Sequence, residues 1–492
     1  MLHKAVFALL AASSAASVIL DRDSRENSEK ACAELKVAFP NGYVDSSSAN
    51  YTAEQNINWS TNCRLPATCF FLPSNTAEVA KGLSIVTKAR SQFSVRNGGH
   101  NPNVKFGSIT HGVLFDTSRI NAVSLSADNK ILHSGSGNRG GVIQSTTDAV
   151  GRSGTTGIDS DPGITGLLLG GGYTHFSQLS GLPNDNVVNF EVVLGNSSIV
   201  NANATHNTDL YRALRGGGNN FGIVTRLDLL TSPIHDIWFT LYTIDPKEYR
   251  KVMPAISKIQ QSMESDPKAN IEVLASAKEF QIALVYAEPA PARPEIFAPL
   301  LDIPPGFVVA PPTNGTVLEL MTGMSNPKDP LVRMVDSVIY KPNTEFLIAL
   351  YEKVLEETPT SGNETDLVIA IKPIGSTVGA VGTKVAGGIP NSLNLPAIPH
   401  IWGSSLAVYK DEVDRETMTE KLKELNRWTV SNARKQGLLL PNLFVNDAGG
   451  AQNVMASYGR ESLANLKAVS KKYDPAQVFQ KLQAGGFKVS EA

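Results

Sequence analysis

Three glycine-dense segments, each tied to an apolar run of strand character, constrain this chain more than any other feature. The first, Arg96-Asn97-Gly98-Gly99-His100-Asn101, leaves the run Phe93 to Val95. The second extends from Gly154 to Gly172 and ends in the triplet Gly170-Gly171-Gly172. The third, Gly216 to Gly222, leads straight into Ile223-Val224-Thr225. Backbone amides that leave a strand edge together, with no side chains to hold a ligand away, form a cradle for an anion such as a phosphate. Read singly, the first is equally a tight turn and the second a surface loop. Three such loops separated by ordinary segments are hard to explain as independent turns. The first is not the Rossmann dinucleotide fingerprint, because no Gly-x-Gly-x-x-Gly opens a helix there.

Around these loops the apolar periodicity gives an α+β pattern. Asn75 and Glu78 have capping-box spacing ahead of Val79, Leu83 and Val86, which predicts a helix over about 76–90. Strands at Phe93 to Val95, Val113 to Phe115 and Ile131 to Leu132 make a β-α-β start. A helix near Val142 to Val150, a strand Val187 to Leu194, a helical turn Asp209 to Leu214 and a strand Ile223 to Leu230 form a second unit. Beyond Pro233 strands such as Trp238 to Thr243 and Phe280 to Tyr286 alternate with helices, and prolines between 289 and 312 punctuate long loops. A polar helix from Val413 to Lys435 and a tail helix Arg460 to Lys472, stopped by Asp474-Pro475, complete the pattern.

In combination and in order, five pieces resemble the FAD-binding oxidoreductases of the vanillyl-alcohol oxidase superfamily, in the fungal berberine-bridge-enzyme-like branch, across nearly the whole mature chain. They are Val95 to His100; Phe115 to Asn121; Gly170 to Gly172 with Asp185-Asn186-Val187; Ala213 to Thr225; and Tyr473-Asp474-Pro475 with Val478-Phe479. The resemblance implies a two-part FAD-binding domain of the PCMH type with an inserted α+β substrate domain whose antiparallel sheet roofs the flavin. The expected division is a signal segment at 1–17, the FAD-binding part at 18–235, the substrate domain at 236–440, and a segment at 441–492 that completes the FAD site.

By the same resemblance His100 bonds covalently to the flavin's ring methyl carbon, and Arg96, Asn97, Gly98, Gly99 and Asn101 embrace the pyrophosphate. Gly163, Ile164, Gly166 and Gly170 line the cofactor cleft, with Ile223 and Val224 on the adenine-ribose side. Many relatives carry a second link to a cysteine where this chain has Asp159, so FAD is expected to be held through His100 only. Thr165 replaces a frequent glycine, which leaves the loop's approach to the cofactor open. Asn446 matches an asparagine near the flavin ring, while Phe444 stands where relatives commonly have a tyrosine. A phenyl ring cannot take a proton, yet oxidation of an alcohol calls for a base. His175, just past the triplet, is the first candidate to face the flavin, or else a histidine packed in its loop; Tyr173, Lys372 and His400 are weaker ones.

The expected activity is hydride transfer from a small organic substrate (an alcohol, a sugar or a secondary metabolite) to FAD, with reoxidation by dioxygen. The alternative is a flavin-dependent cyclase or pericyclase. With 44 basic and 46 acidic residues and no long run of one sign, nothing marks a nucleic-acid or membrane partner, and a monomer is expected. Lys4, the apolar run Ala5 to Ala12 and the small residues Ser13 to Ser17 read as a secretory signal, with an ordinary amphipathic helix as the alternative. Secretion fits the sequons at Asn50, Asn58, Asn196, Asn203, Asn314 and Asn363. Of Cys32, Cys63 and Cys69, two can pair; Cys32 with Cys69 would tie the leading helix to the first core strand, and Cys32 with Cys63 stays open.

Overall fold

A computed structural model describes residues 24–324, 329–359 and 365–492; the signal segment and the sequon at Asn363 lie outside them. The β-α-β start forms as the apolar pattern requires. The helix Thr76–Ala89 is capped by Asn75, whose side chain accepts from the Glu78 amide at 3.0 Å. The reciprocal bond of the box goes one residue earlier, from Ser74 N to Glu78 at 2.8 Å. Its buried stripe of Val79, Leu83 and Val86 packs on a four-stranded sheet in the order Tyr43–Asp45, Cys69–Phe71, Val113–Asp116, Phe93–Arg96. The last three strands run parallel, so the first glycine loop emerges where Phe93–Arg96 ends. Cys32 and Cys69 form the disulfide, which pins the helix at 24–38 to the strand Cys69–Phe71, and Cys63 is a buried free thiol.

A six-stranded antiparallel sheet makes the second half, with Ile223–Ser232 between Ile131–Gly135 and Val187–Val193. The stretch Gly154 to Gly172, expected as one long loop, instead holds a helix, Ile164–Gly170. Leu168 and Ile164 are fully buried, so tertiary packing overrides the weak helix preference of the glycines. The C-terminal segment returns to the first half: Phe93 N donates to Leu482 O at 3.0 Å and Phe479 joins its core.

The third element is a seven-stranded antiparallel sheet. Alternation assigns its faces. Ile271, Val273 and Ala275 pack under the helices Tyr249–Met263 and Thr344–Glu357, with Arg415–Lys435 over the neighbouring strands, while Asn270, Glu272 and Leu274 turn the other way. One edge is Val308–Thr316, a region expected as proline-punctuated loop. Pro311 and Pro312 are tolerated because an edge strand needs partners on one side only, and the pairing with Asp236–Ile244 shifts register there. The segment from Val378 to Leu393, expected within the substrate domain, packs instead in the core of the second half.

Candidate active site

The glycine loops and the free face of the seven-stranded sheet enclose one cavity of about 720 Å³. The whole run Arg96 to Asn101 lines it, as do Gly163, Gly166 and Gly170, Asp159, Ile223 with Val224, and Asn446. From the sheet come Leu274, Ala283, Leu406 and Val335, and with them Glu272 and Lys372. No helix among the described residues is long and apolar enough to cross a membrane, and no cluster among them could hold a metal ion.

Two of the glycine loops touch each other. A side chain on Gly98 would run into the Gly163 backbone, and one on Gly163 would run into Asn97 and Gly98. Asn97 ties the loops further, donating to Ser136 O and accepting from the Thr165 amide at 3.2 Å. Thr165 donates its hydroxyl to the same Ser136 carbonyl at 2.9 Å, so the residue that replaces a frequent glycine anchors this loop. Gly166 differs: nothing stands within 4 Å of where its Cβ would be, although it lies inside a packed helix. That open floor beside converging amides is the fit expected for a flat, anionic cofactor.

Several expected site residues contribute differently from the sequence reading. The Arg96 guanidinium is buried, bonded to Asp116 at 2.6 Å and Glu54 at 3.2 Å, so only its main chain is left for a ligand. Ile164 is buried in the core and its amide donates to Asn138 O, so it does not line the cavity. His175 does not line it either. It lies buried behind Tyr173, with Nδ1 3.2 Å from Asn270 Oδ1, and burial holds it neutral at about 4. His400, buried with Nδ1 on Ile398 O at 2.7 Å, is likewise away from the site. Asn446 clasps the helix Ile164–Gly170, accepting from Gly172 N at 3.0 Å and donating to Gly166 O at 3.3 Å. Phe444 stacks on Trp402 at 4.0 Å in the cavity wall.

His100 is stacked on Trp59, with ring centroids 4.2 Å apart and planes within 9°. Burial lowers it to about 4, against the pull of the Asp159 carboxylate, so its imidazole is neutral with a free electron pair.

The ionisable centre of the sheet face contains Lys372 and Tyr173, two of the weaker base candidates, with Glu272 and Asp447, which the sequence did not single out. Glu272 lies 3.8 Å from Lys372 Nζ, which bonds Asp447 at 2.9 Å. Burial raises Glu272 to about 7, Lys372 opposing and Asp447 and Asp159 adding to the rise. Its Oε2 has no hydrogen-bond partner, although it is buried. A carboxyl group held near neutrality in a cavity wall is suited to exchange a proton with a ligand. Tyr173 completes the group, donating to Asn270 Oδ1 at 2.8 Å beneath Lys372. Glu272 and Asp447 carried no motif; only their place on one sheet face and one turn brings them together.

A family model described as an FAD binding domain matches residues 67–203. An FAD-dependent monooxygenase of Arthrobotrys oligospora is 32% identical over 473 residues, covering 94% of this chain and 90% of the relative. The bifunctional solanapyrone synthase of Alternaria solani is 31% identical over 495 residues, covering 93% and 89%. Among solved structures, glucooligosaccharide oxidase from Acremonium strictum, described with a 6-S-cysteinyl, 8α-N1-histidyl FAD, superposes with a TM-score of 0.78 at 18% identity, over 93% of this chain and 99% of that one.

Proposed function

The chain belongs to a family of fungal FAD-dependent oxidoreductases, and from that premise we propose that it is a berberine-bridge-enzyme-like oxidase of the vanillyl-alcohol oxidase superfamily that acts on an apolar metabolite, with FAD attached through His100 alone. The observation that carries the reading is that Glu272, a carboxyl raised by burial to about 7, lines the same cavity as the glycine cradle.

FAD held there supplies a two-electron acceptor that takes hydride from carbon and is renewed by dioxygen with release of hydrogen peroxide. The residues of the chain do the rest. The amides of Arg96 to Asn101 hold the pyrophosphate, the bare Gly166 lets the flat group lie close, and Ile223 and Val224 back the adenine side. Asp159 supplies no thiol, which leaves the neutral His100 nitrogen as the single point of attachment.

Glu272 takes the hydroxyl proton as hydride leaves the substrate, the step for which Phe444 has no capacity. Lys372, kept cationic by Asp447 and Glu272 despite its burial, stabilises the carboxylate before transfer. Beside this group the sheet face carries apolar pairs, Leu241 beside Ala283 and Leu274 beside Ala370 in register, with Thr243, Gln281 and Ser404 set among them. Such a wall offers partners to only some of a sugar's hydroxyls, and each one left unpaired costs roughly 1–3 kcal/mol. A secreted location is supported by the disulfide, since an oxidising compartment preserves it.

A second reading, a ring-closing cyclase of secondary metabolism, is favoured by Phe444, because a cavity without the relatives' phenol also suits a reaction that needs no external base. Anaerobic addition of apolar alcohols and of oligosaccharides tests both. Lasting loss of the yellow absorbance with the alcohols, and peroxide on admitting air, is the expected result. Bleaching by oligosaccharides alone overturns the substrate class, and product without net bleaching establishes the cyclase. Acid precipitation tests the linkage: the colour should stay with the polypeptide, and in His100→Ala should leave it entirely.

A further inference from the structure

Trp59 is joined at once to the histidine loop and to the substrate sheet. Its amide donates to Gly99 O at 3.0 Å, one residue before His100, and its indole lies parallel to the His100 imidazole. The Arg333 guanidinium, from the outer strand Val332–Tyr340, rests 4.2 Å from the same indole and donates to Trp59 O at 2.9 Å. Ser60 continues the seam, its hydroxyl bonding Arg333 N at 2.7 Å and Arg333 O at 3.1 Å, and Thr61 N donates to Leu331 O. Burial lowers Arg333 to about 10, so it remains a cation, and a cation against an indole face is held more firmly than a neutral group. Trp59, Arg333 and His100 all line the cavity.

We propose that Trp59, fixed from the substrate sheet by Arg333, is the positioning residue that sets the plane of the His100 ring for its bond to the flavin. The inference rests on the reading that His100 is the attachment point. An unsupported imidazole on a glycine-flanked loop samples many orientations, and a bond to one carbon needs a nitrogen lone pair aligned within a few tenths of an ångström. Stacking on a clamped indole removes that freedom in advance. In the bond-forming step one imidazole nitrogen joins the ring methyl carbon. A C–H bond of the methyl and the N–H bond of the imidazole break, two protons leave, and two electrons remain on the flavin until dioxygen takes them as hydrogen peroxide. Because the clamp spans two domains, attachment should wait until the substrate sheet has docked against the loop.

The test compares native protein with Trp59→Ala, Trp59→Phe and Arg333→Met, each supplied with FAD. Total flavin bound before denaturation is measured beside the fraction that precipitates with the polypeptide in acid, followed over time. Attachment should slow at least tenfold in Trp59→Ala with bound flavin unchanged, recover to within about threefold in Trp59→Phe, and slow several-fold in Arg333→Met. Attachment at the native rate in both Trp59→Ala and Arg333→Met would overturn the clamp while leaving His100 as the anchor. Should Trp59→Ala not fold, Arg333→Met against native protein decides. Release of all flavin by the native protein would overturn the His100 reading itself, and the clamp with it.

Discussion

Gly98 and Gly163 meet backbone to backbone, so that a methyl group on either would overlap the other's chain, and this contact is what joins the first glycine loop to the second. Gly98→Ala or Gly163→Ala should therefore force the loops apart and destabilise the fold by about 1–3 kcal/mol, the usual cost of overpacking. Gly166→Ala should behave in the opposite way. With nothing within 4 Å of its Cβ, the flavin-free variant should melt at or above the flavin-free native protein, since alanine favours a helix, yet take up less flavin because the methyl enters the cradle. Thermal melts together with the ratio of flavin to protein absorbance check both; flavin loading unchanged in Gly166→Ala would mean the cofactor does not lie there.

The same contrast shows what the sequence made legible. Phe280–Tyr286 was readable to the residue because its nearly continuous apolar run lies between Lys278-Glu279 and Glu288-Pro289, and the helix Thr76–Ala89 because a cap and a stripe agree. Val308–Thr316 was not, because two prolines mimic a loop unless the strand is known to be an edge. The cofactor cradle was visible because glycine is rare enough to mark close approach. Glu272 was hidden because a single carboxylate in a strand is ordinarily a solvated residue, and only the sheet's register sets it beside Lys372. His175 misled for the converse reason: proximity to the triplet in sequence does not determine which side of Tyr173 its ring occupies.

Removing the disulfide should cost a large share of the net stability. Closing a loop of 37 residues is worth about 4 kcal/mol by chain entropy, within the range of roughly 2–5 kcal/mol found on removing native disulfides from small secreted domains. Cys32→Ser with Cys69→Ser should lower the melting temperature accordingly. Cys63, whose thiol is pushed up to about 12 by burial, should resist thiol reagents in the native fold and react once only after denaturation without reductant. Two or more labelled thiols under those conditions would contradict the pairing.

The sequons should divide by burial. Asn58 is 1% exposed and its side chain is committed to Arg96 at 3.2 Å and to Gly107 O, so it is closed to a glycan in the folded protein. Asn50, Asn196 and Asn314 are exposed. Glycopeptide mapping of protein from a secreting fungal host should find sugar at exposed sites and none at Asn58.

The pH dependence of the reductive step discriminates among the candidate bases. Glu272, raised by burial to about 7, is a carboxylic acid below that pH and a base above it, so the rate of anaerobic flavin reduction should climb with pH and level off above about 7. Stability should run in the reverse sense. A carboxyl whose pKa is raised on folding contributes fully below its unfolded value and loses that contribution as pH rises through the folded one, so Glu272→Gln should be relatively more stable at pH 8 than at pH 5. The same variant should reduce flavin about a hundred to ten thousand fold more slowly and lose the pH step. Phe444→Tyr restores the phenol that relatives carry, but in a wall where burial already raises Tyr173 well above its ordinary value. A phenol there keeps its proton at neutral pH, so Phe444→Tyr should stay within a few-fold of the native rate. Glu272→Gln with Phe444→Tyr should be as slow as Glu272→Gln alone. Recovery of more than tenfold in the double variant would show that a phenol at 444 can serve as the base, and the proton would then have to be assigned to that edge of the cavity rather than to the sheet.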